Sequence, residues 1–561
     1  MRTFFRLVPL RAIGILVATL TAFAAGLPLA PSLRAQDRGG SARERVDADV
    51  VWRIRREATE QSQIMRTIET LADLYGPRLT GSPNLRRAQD WIVQQATTWG
   101  LKNAHLEEWD FGHPGWQNER TSVHLVAPVK DTLVVEALAW TPSTPGTITA
   151  SAIVIEPPLR PTQADLDRFF ADWKGKLKGH AVMIGQPGKV EVAFEVPAKR
   201  RDDGEMRARF GLDDPPSGQP AAPQPPVAPS AAPASPAPVR LTADQNAEQL
   251  NMFLVTEAAA LRVNDAGRAH GQIRAFNNRT FDVGKAVPTV VMRNEDYGRI
   301  ARLLASGQTV SIEATVANQM YPEGRTQHNV IAEIPGADKA SEVVMLGGHL
   351  DSWHAATGAT DNAVGVAVML EAVRILKAID VRPRRTIRVA LWSGEEQGLR
   401  GSAAYVAQHF GSYEDPKAPF DRFAGYFNLD TGTGRVRGMT IFGPPAAARA
   451  LRSILRSFQD TGVMGATTTR SRVRAGSDHT SFNEAGLPGI GVFQDPIEYN
   501  THSWHTNLDT YERIIESDTQ QAAMAIAAAV YHVAMRDEPL PRFSKNEMPT
   551  KPGAAPLTTT R

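Results

Sequence analysis

The sequence predicts an α/β protein, a mixed and mostly parallel sheet with helices on both faces, interrupted by a smaller β-rich segment. Three observations carry this. From His328 onward, short apolar runs at 343–347, 387–392, 426–429 and 490–493 read as buried strands. Helical segments alternate with them, most clearly 363–378, and that alternation is the mark of a sheet covered on both sides. Between about 123 and 316 the pattern changes to short runs rich in Val, Ile and Thr, at 151–155, 181–184 and 287–292.

The elements follow in order. Arg2, Arg6 and Arg11 precede an apolar run from 12 to 30, with small residues near Ala35, so residues 1–35 read as a signal peptide; an uncleaved membrane anchor is the alternative. Residues 36–122 form the first part of the main domain. Within them 46–75 is helical, and Ser82-Pro83 opens a second helix with Ser as N-cap and Pro at the first position. The β-rich insert spans 123–318. Inside it, 215–239 is almost wholly Pro, Ala, Ser and Gln and cannot bury enough apolar surface to order itself. Residues 319–540 form the main domain proper, and 541–561 a flexible, proline-containing tail.

Composition excludes several function classes. The 561-residue chain has 62 Lys and Arg against 60 Asp and Glu, a formal charge of +2; removing residues 1–35 takes four arginines and no acids, leaving −2. A near-neutral chain without basic-aromatic interleaving has no footprint for nucleic acid, and none for a membrane once the signal is removed. The absence of cysteine rules out thiolate metal sites and a Cys nucleophile. A metal centre must therefore use His and carboxylates.

Such residues fall at or just beyond the ends of the expected strands, where open α/β sheets place their sites. The run 344–353 leaves a strand at His349, with Asp351 placed to hold the other ring nitrogen. Asp361 and Asn362 immediately precede the 363–378 helix, a position that also suits a plain N-cap. The strand ending at Trp392 leads into Ser393-Gly394-Glu395-Glu396, adjacent acids that suit a solvated turn or, beside a cation, a ligand and a free base. Asp430 follows a fourth apolar run, and His505 lies in the loop 503–510. Two histidines and three carboxylates form a set suited to a pair of ions such as Zn²⁺. His328, His354 and His502 have no such acid at matching spacing, and the basic run Arg382, Arg384, Arg385, Arg388 reads as a solvated connection.

In the order His349, Asp361, Glu395-Glu396, Asp430, His505, the sequence resembles the M28 family of metallopeptidases over about 46–535. Within it the runs 74–82 and 111–116 are most similar to the carboxypeptidase Q branch. The resemblance implies a zinc exopeptidase fold, and for the insert, chiefly through 287–292 and 301–316, a protease-associated domain. It implies two Zn²⁺ per chain, with Asp361 bridging them, His349 and Asp430 on one ion, Glu396 and His505 on the other, and Glu395 as general base toward a water nucleophile. Asp351 takes a supporting role. Tyr499 is placed either to donate a hydrogen bond to the tetrahedral intermediate or as a core or lid tyrosine. The run 476–482 also matches the family pattern and is assigned to support.

The expected activity is secreted exopeptidase hydrolysis of unblocked dipeptides or of terminal residues of short peptides, in the periplasm or medium, and the resembled branch implies a homodimer. The expected pocket is shaped by the insert and by loops around Trp353, Tyr426 and Tyr499. The rival readings are a binding protein on the same scaffold and a glutaminyl-cyclase-like acyl transfer enzyme with a single zinc.

Overall fold

The computed structural model describes residues 44–211 and 239–553. The expected signal peptide and all but the last residue of the expected 215–239 loop lie outside the described residues, as do the final residues from 554. Among the described residues no helix is long and apolar enough to cross a membrane.

One eight-stranded sheet organises the main domain. Its strands in chain order are β1 (Lys102–Asp110), β2 (Thr326–Ile334), β3 (Lys339–His349), β4 (Arg385–Trp392), β5 (Phe423–Asn428), β6 (Val436–Phe442), β7 (Ala466–Thr469) and β8 (Gly489–Gln494), and their spatial order is β1-β2-β4-β3-β5-β8-β6-β7. The central strands β4, β3, β5 and β8 run parallel, while β1, β2 and β6 pair antiparallel. The four apolar runs read from sequence are these four parallel strands, and they are nearly continuous apolar stretches because both of their faces are buried.

Helices cover both faces. Val364–Ala378, Glu516–Met535, Ala48–Glu60 and Pro83–Thr98 pack on one face with Val344, Leu346, Ile387 and Phe427. Arg400–His409 and His479–Ala485 pack on the other with Met345, Trp392 and Tyr426. Val364–Ala378 is buried on every side as far as Leu376, which explains its lack of a polar stripe. Ser82 caps its helix through the Leu85 N–H at 3.2 Å, with Pro83 at the first position as the sequence requires. The expected 46–75 helix is instead two helices, Ala48–Glu60 and Ile64–Glu69, broken at the polar 61–63 and followed by a π turn over Thr70–Leu74.

A second eight-stranded sheet is built from Gly115–Ala127, Asp131–Leu133, Val135–Ala137, Ile148–Ile155, Ala181–Ile184, Leu261–Asp265, Thr289–Met292 and Ser311–Tyr321. Its outer limits are wider than 123–318, because Gly115–Ala127 pairs over its whole length with Ser311–Tyr321. Nor is the segment purely β: Gln163–Trp173, Ala243–Thr256 and Asn294–Ala305 are helices, the first two fixed by Thr162/Asp165 and Thr242/Gln245 capping boxes. The tail expectation fails for the described part. Phe543 is buried against Phe442 at 5.1 Å, Pro549 O accepts from Arg472, and Lys551 pairs with Glu484. A buried aromatic, a backbone acceptor and an ion pair together anchor a segment that composition alone reads as loose.

Candidate metal centre and active site

Because β3, β4, β5 and β8 are parallel, their carboxyl ends share one edge of the sheet, and the chain delivers its acids and histidines there. His349 is the last residue of β3. Two glycines precede it, and at Gly347 a Cβ would lie 1.7 Å from Ala390 O, so only glycine lets β3 and β4 close at this point. Glu395 and Glu396 follow β4 through Gly394, whose φ of +73° turns the chain back over the sheet. Asp430 follows β5, and Tyr499 and His505 follow β8.

These side chains converge. His349 Nε2 lies 3.2 Å from Asp361 Oδ1 and 3.2 Å from Asp430 Oδ1. His505 Nε2 lies 3.1 Å from Asp361 Oδ2 and 3.0 Å from Glu396 Oε2. Asp361 thus faces one histidine with each carboxylate oxygen, in the middle of the cluster. Ligating atoms of His349, Glu395 and Asp430, and of His349, Asp361 and Glu396, lie within 4.8 Å of one another. Every one of the five expected ligands, and Glu395, is therefore brought to one place.

Electrostatics favour a cation there. Four carboxylates, Asp361, Glu395, Glu396 and Asp430, meet two imidazoles in a place largely closed to water. Burial alone depresses the His505 imidazole, yet the Glu396 and Asp361 carboxylates outweigh it and push it up to about 10. Burial pushes the Glu395 carboxyl well above the usual range; the negative charges of Asp430 and Glu396 add to this, and only His349 opposes it. Asp361 Oδ2 and Glu396 Oε1 are buried without a hydrogen-bond donor. Orphaned carboxylate oxygens beside two imidazoles fit divalent zinc, which takes nitrogen and oxygen donors.

The supporting contacts differ from expectation at one point. His349 Nδ1 lies 2.9 Å from the backbone carbonyl of Asp351, whereas the Asp351 carboxylate is 3.8 Å from the ring. That carboxylate is engaged elsewhere: it accepts the backbone N–H of Glu395 at 3.3 Å and of Glu396 at 3.2 Å, and the Thr80 hydroxyl at 3.0 Å. Residue 351 orients the histidine through its backbone and holds the two-glutamate turn through its side chain. Asn362 caps the following helix, accepting from Gly365 N at 3.1 Å, so its neighbour Asp361 is left for the centre.

Tyr499 is buried, with its hydroxyl 3.5 Å from Asp430 Oδ1, at the centre's edge. Tyr426, expected near the pocket, is instead fully buried on β5, in the core on one face of the sheet. It accepts from Trp392 Nε1 at 2.6 Å and donates to Asn428 Oδ1 at 2.7 Å, which ties it to the core. Trp353 is at the site, packed on Phe276 at 5.1 Å, and Phe276 lies edge-on to His505 at 5.6 Å. His354 Nε2 donates to Ala137 O at 2.7 Å, and burial lowers the ring to about 4. Asp478 of the 476–482 run is fully buried, and the same environment raises its carboxyl to about 7, chiefly through burial.

Sequence reasoning missed Asp509, Thr80 and Arg78. Asp509 accepts the backbone N–H of Thr360 and Asp361. Arg78 is fully buried and donates to the carbonyls of Leu350, Leu71, Thr357 and Gly358 at 2.7–2.9 Å. The string 74–82 signalled Arg78 and Thr80 only as part of a motif, and nothing local marked Asp509.

Residues 329–530 match the model of Peptidase family M28. That segment is a peptidase domain. It contains all five candidate ligands and Glu395. Over 486 residues the chain is 26% identical to carboxypeptidase Q of Mus musculus, covering 86% of this chain and 88% of that protein. In fold it is similar to the crystal structure of a peptidase M28 precursor from Shewanella amazonensis, with a TM-score of 0.61 at 22% identity, over 89% of this chain and 99% of that one. It is also similar to a zinc aminopeptidase from Bacillus subtilis, with a TM-score of 0.51 at 20% identity, over 85% and 95%. Over residues 329–530 the chain is similar to M28 metallopeptidases, and its sheet order and helix layers are those of the expected α/β class.

Proposed function

We propose that this metallopeptidase is an exported exopeptidase that holds two zinc ions and hydrolyses unblocked dipeptides or terminal residues of short peptides. The observation that carries this is Asp361, whose two oxygens face His349 and His505 separately, with Asp430 beside the first and Glu396 beside the second. His349, Asp361 and Asp430 would hold one ion and Asp361, Glu396 and His505 the other. Bound there, the pair supplies a lowered pKa for a water molecule and polarisation of the scissile carbonyl.

The protein's own groups do the rest. Glu395 takes the proton from the attacking water and returns it to the leaving amine, a role for which a buried carboxyl with raised basicity is suited. Asp351 and Thr80 fix the turn that aims Glu395. Tyr499, its hydroxyl held near Asp430, donates to the oxyanion as the carbonyl becomes tetrahedral. Trp353, Phe276 and Trp504 form the apolar wall beside His505 and keep bulk water from the reacting bond. The separate second sheet, which supplies Phe276 through its connecting loop, is read as the protease-associated insert.

The test is elemental analysis of the purified protein with dipeptide hydrolysis before and after chelation. About two zincs per chain and activity restored by added zinc support the reading. A protein that binds no zinc and hydrolyses no dipeptide returns the site to the binding-protein alternative, and hydrolysis that ignores chelator contradicts a metal-dependent mechanism.

A further inference from the structure

The cavity over the centre, about 350 Å³, is lined by Asp361, Glu395, Glu396 and Asp430 and by the loop that carries Arg474. This volume lies at the low end for ligand pockets and suits a molecule of about two residues. Its charges are unevenly placed. The carboxylates lie at the metal centre, and Arg474 is the single Lys or Arg in the wall.

Arg474 is held in place without being used up. Two residues earlier Arg472 is buried, paired with Glu414 at 2.6 Å and 3.0 Å and donating to Glu484 O at 2.7 Å and 2.9 Å. Just after it, Ala475 N donates to Thr480 Oγ1 at 3.1 Å. The loop is pinned on both sides of Arg474. The Arg474 side chain itself is 42% exposed, and its one ion-pair contact, Nε to Glu484 Oε2, is 3.6 Å long. Glu484 has a nearer cation in Lys551 at 3.1 Å. Among the described residues the two Nη atoms of Arg474 make no hydrogen bond. Arg274, another arginine close to the site, is committed: its guanidinium stacks on Trp504 at 4.5 Å and donates to Trp504 O at 3.2 Å.

We propose that Arg474 is the anchor for the free α-carboxylate of the substrate. This rests on the peptidase reading above and deepens it. A free guanidinium offers two parallel N–H donors matched to a carboxylate, the strongest and most directional recognition available to that group. A dipeptide with its scissile carbonyl beside Glu395 has only one residue, about 3.5 Å of chain, between the bond cleaved and its carboxylate. At the opposite end its ammonium meets the acidic wall. A zwitterion is thus complementary to the cavity at both ends, whereas a peptide amide or an anilide leaves Arg474 desolvated and unpaired, which is penalised.

The test compares a dipeptide, its C-terminal amide and an aminoacyl-anilide with the zinc-loaded wild type, Arg474→Ala and Arg474→Lys. The wild type is expected to favour the free dipeptide over its amide. In Arg474→Ala that preference, as a ratio of kcat/KM, falls by about 10- to 100-fold, mainly through a raised KM, as loss of charged hydrogen bonds requires. Arg474→Lys retains part of the preference. A wild type that favours the amide or anilide, or an Arg474→Ala enzyme that loses all three substrates equally, overturns the anchor while leaving the peptidase reading intact. A zinc-loaded wild type inert toward all three overturns both.

Discussion

Asp509 Oδ2 accepts the backbone N–H of Asp361 at 3.0 Å, and its Oδ1 accepts that of Thr360 at 2.6 Å. One buried carboxylate thereby fixes the backbone beneath another that sits at the middle of the candidate metal centre. Asp509→Ala is expected to leave the fold intact and to weaken zinc retention or kcat/KM by about 10- to 100-fold, the usual cost of losing a group that orients a ligand. Competition with a chelator, alongside dipeptide turnover, reads both. Zinc affinity and turnover equal to wild type would deny Asp509 this role.

Asp351 has two backbone donors and one hydroxyl donor on its carboxylate. Asp351→Ala should therefore act on the 395–396 turn, with kcat reduced about 10- to 100-fold, while Thr80→Val, which removes one of the three donors, costs roughly tenfold or less. The order of these effects is the test. A larger loss from Thr80→Val would mean that the turn is held by something else.

Arg78 satisfies four carbonyls from fully buried surroundings, two of them in the segment leading to Asp361. Burial lowers it only to about 10, so it remains a cation at neutral pH. Arg78→Met leaves those carbonyls without donors and should cost about 3–5 kcal/mol of stability, read by denaturant unfolding. A cost below about 1 kcal/mol would show that the carbonyls find other donors.

Glu136 lies in the edge strand Val135–Ala137 of the second sheet, and burial pushes its carboxyl up to about 8 from 4.5. The folded state holds this proton more tightly than the unfolded chain. Its contribution to stability is thus complete below about pH 4.5 and is lost as pH rises toward 8. Glu136→Gln should remove that decline, gaining roughly 2–5 kcal/mol over wild type at pH 9 relative to pH 4. Parallel pH profiles for the two proteins would contradict it.

The main sheet and the convergence of the candidate ligands were legible because parallel strands buried on both faces are continuous apolar runs, and because acids and histidines follow their carboxyl ends. His349, Glu395-Glu396 and Asp430 could be read in this way. The supporting residues could not. The contacts of Asp509 with Thr360 and of Asp351 with Thr80 span 149 and 271 residues, and no local pattern encodes such pairs. The His349–Asp351 reading had the right residues but the wrong atoms, since spacing does not tell a carbonyl from a carboxylate. The helices of the second sheet were legible in the Thr162 and Thr242 capping boxes, but short β-branched runs on either side dominate the pattern.

The role of Glu395 is the centre of the account, and its atoms lie close enough to His349 and Asp430 to serve as a ligand instead. The most direct measurement is the zinc content and dipeptide turnover of Glu395→Gln. As general base, Glu395 predicts wild-type zinc content with kcat lowered by about 10²- to 10⁴-fold. Loss of zinc together with activity, or activity within a few-fold of wild type, would contradict it.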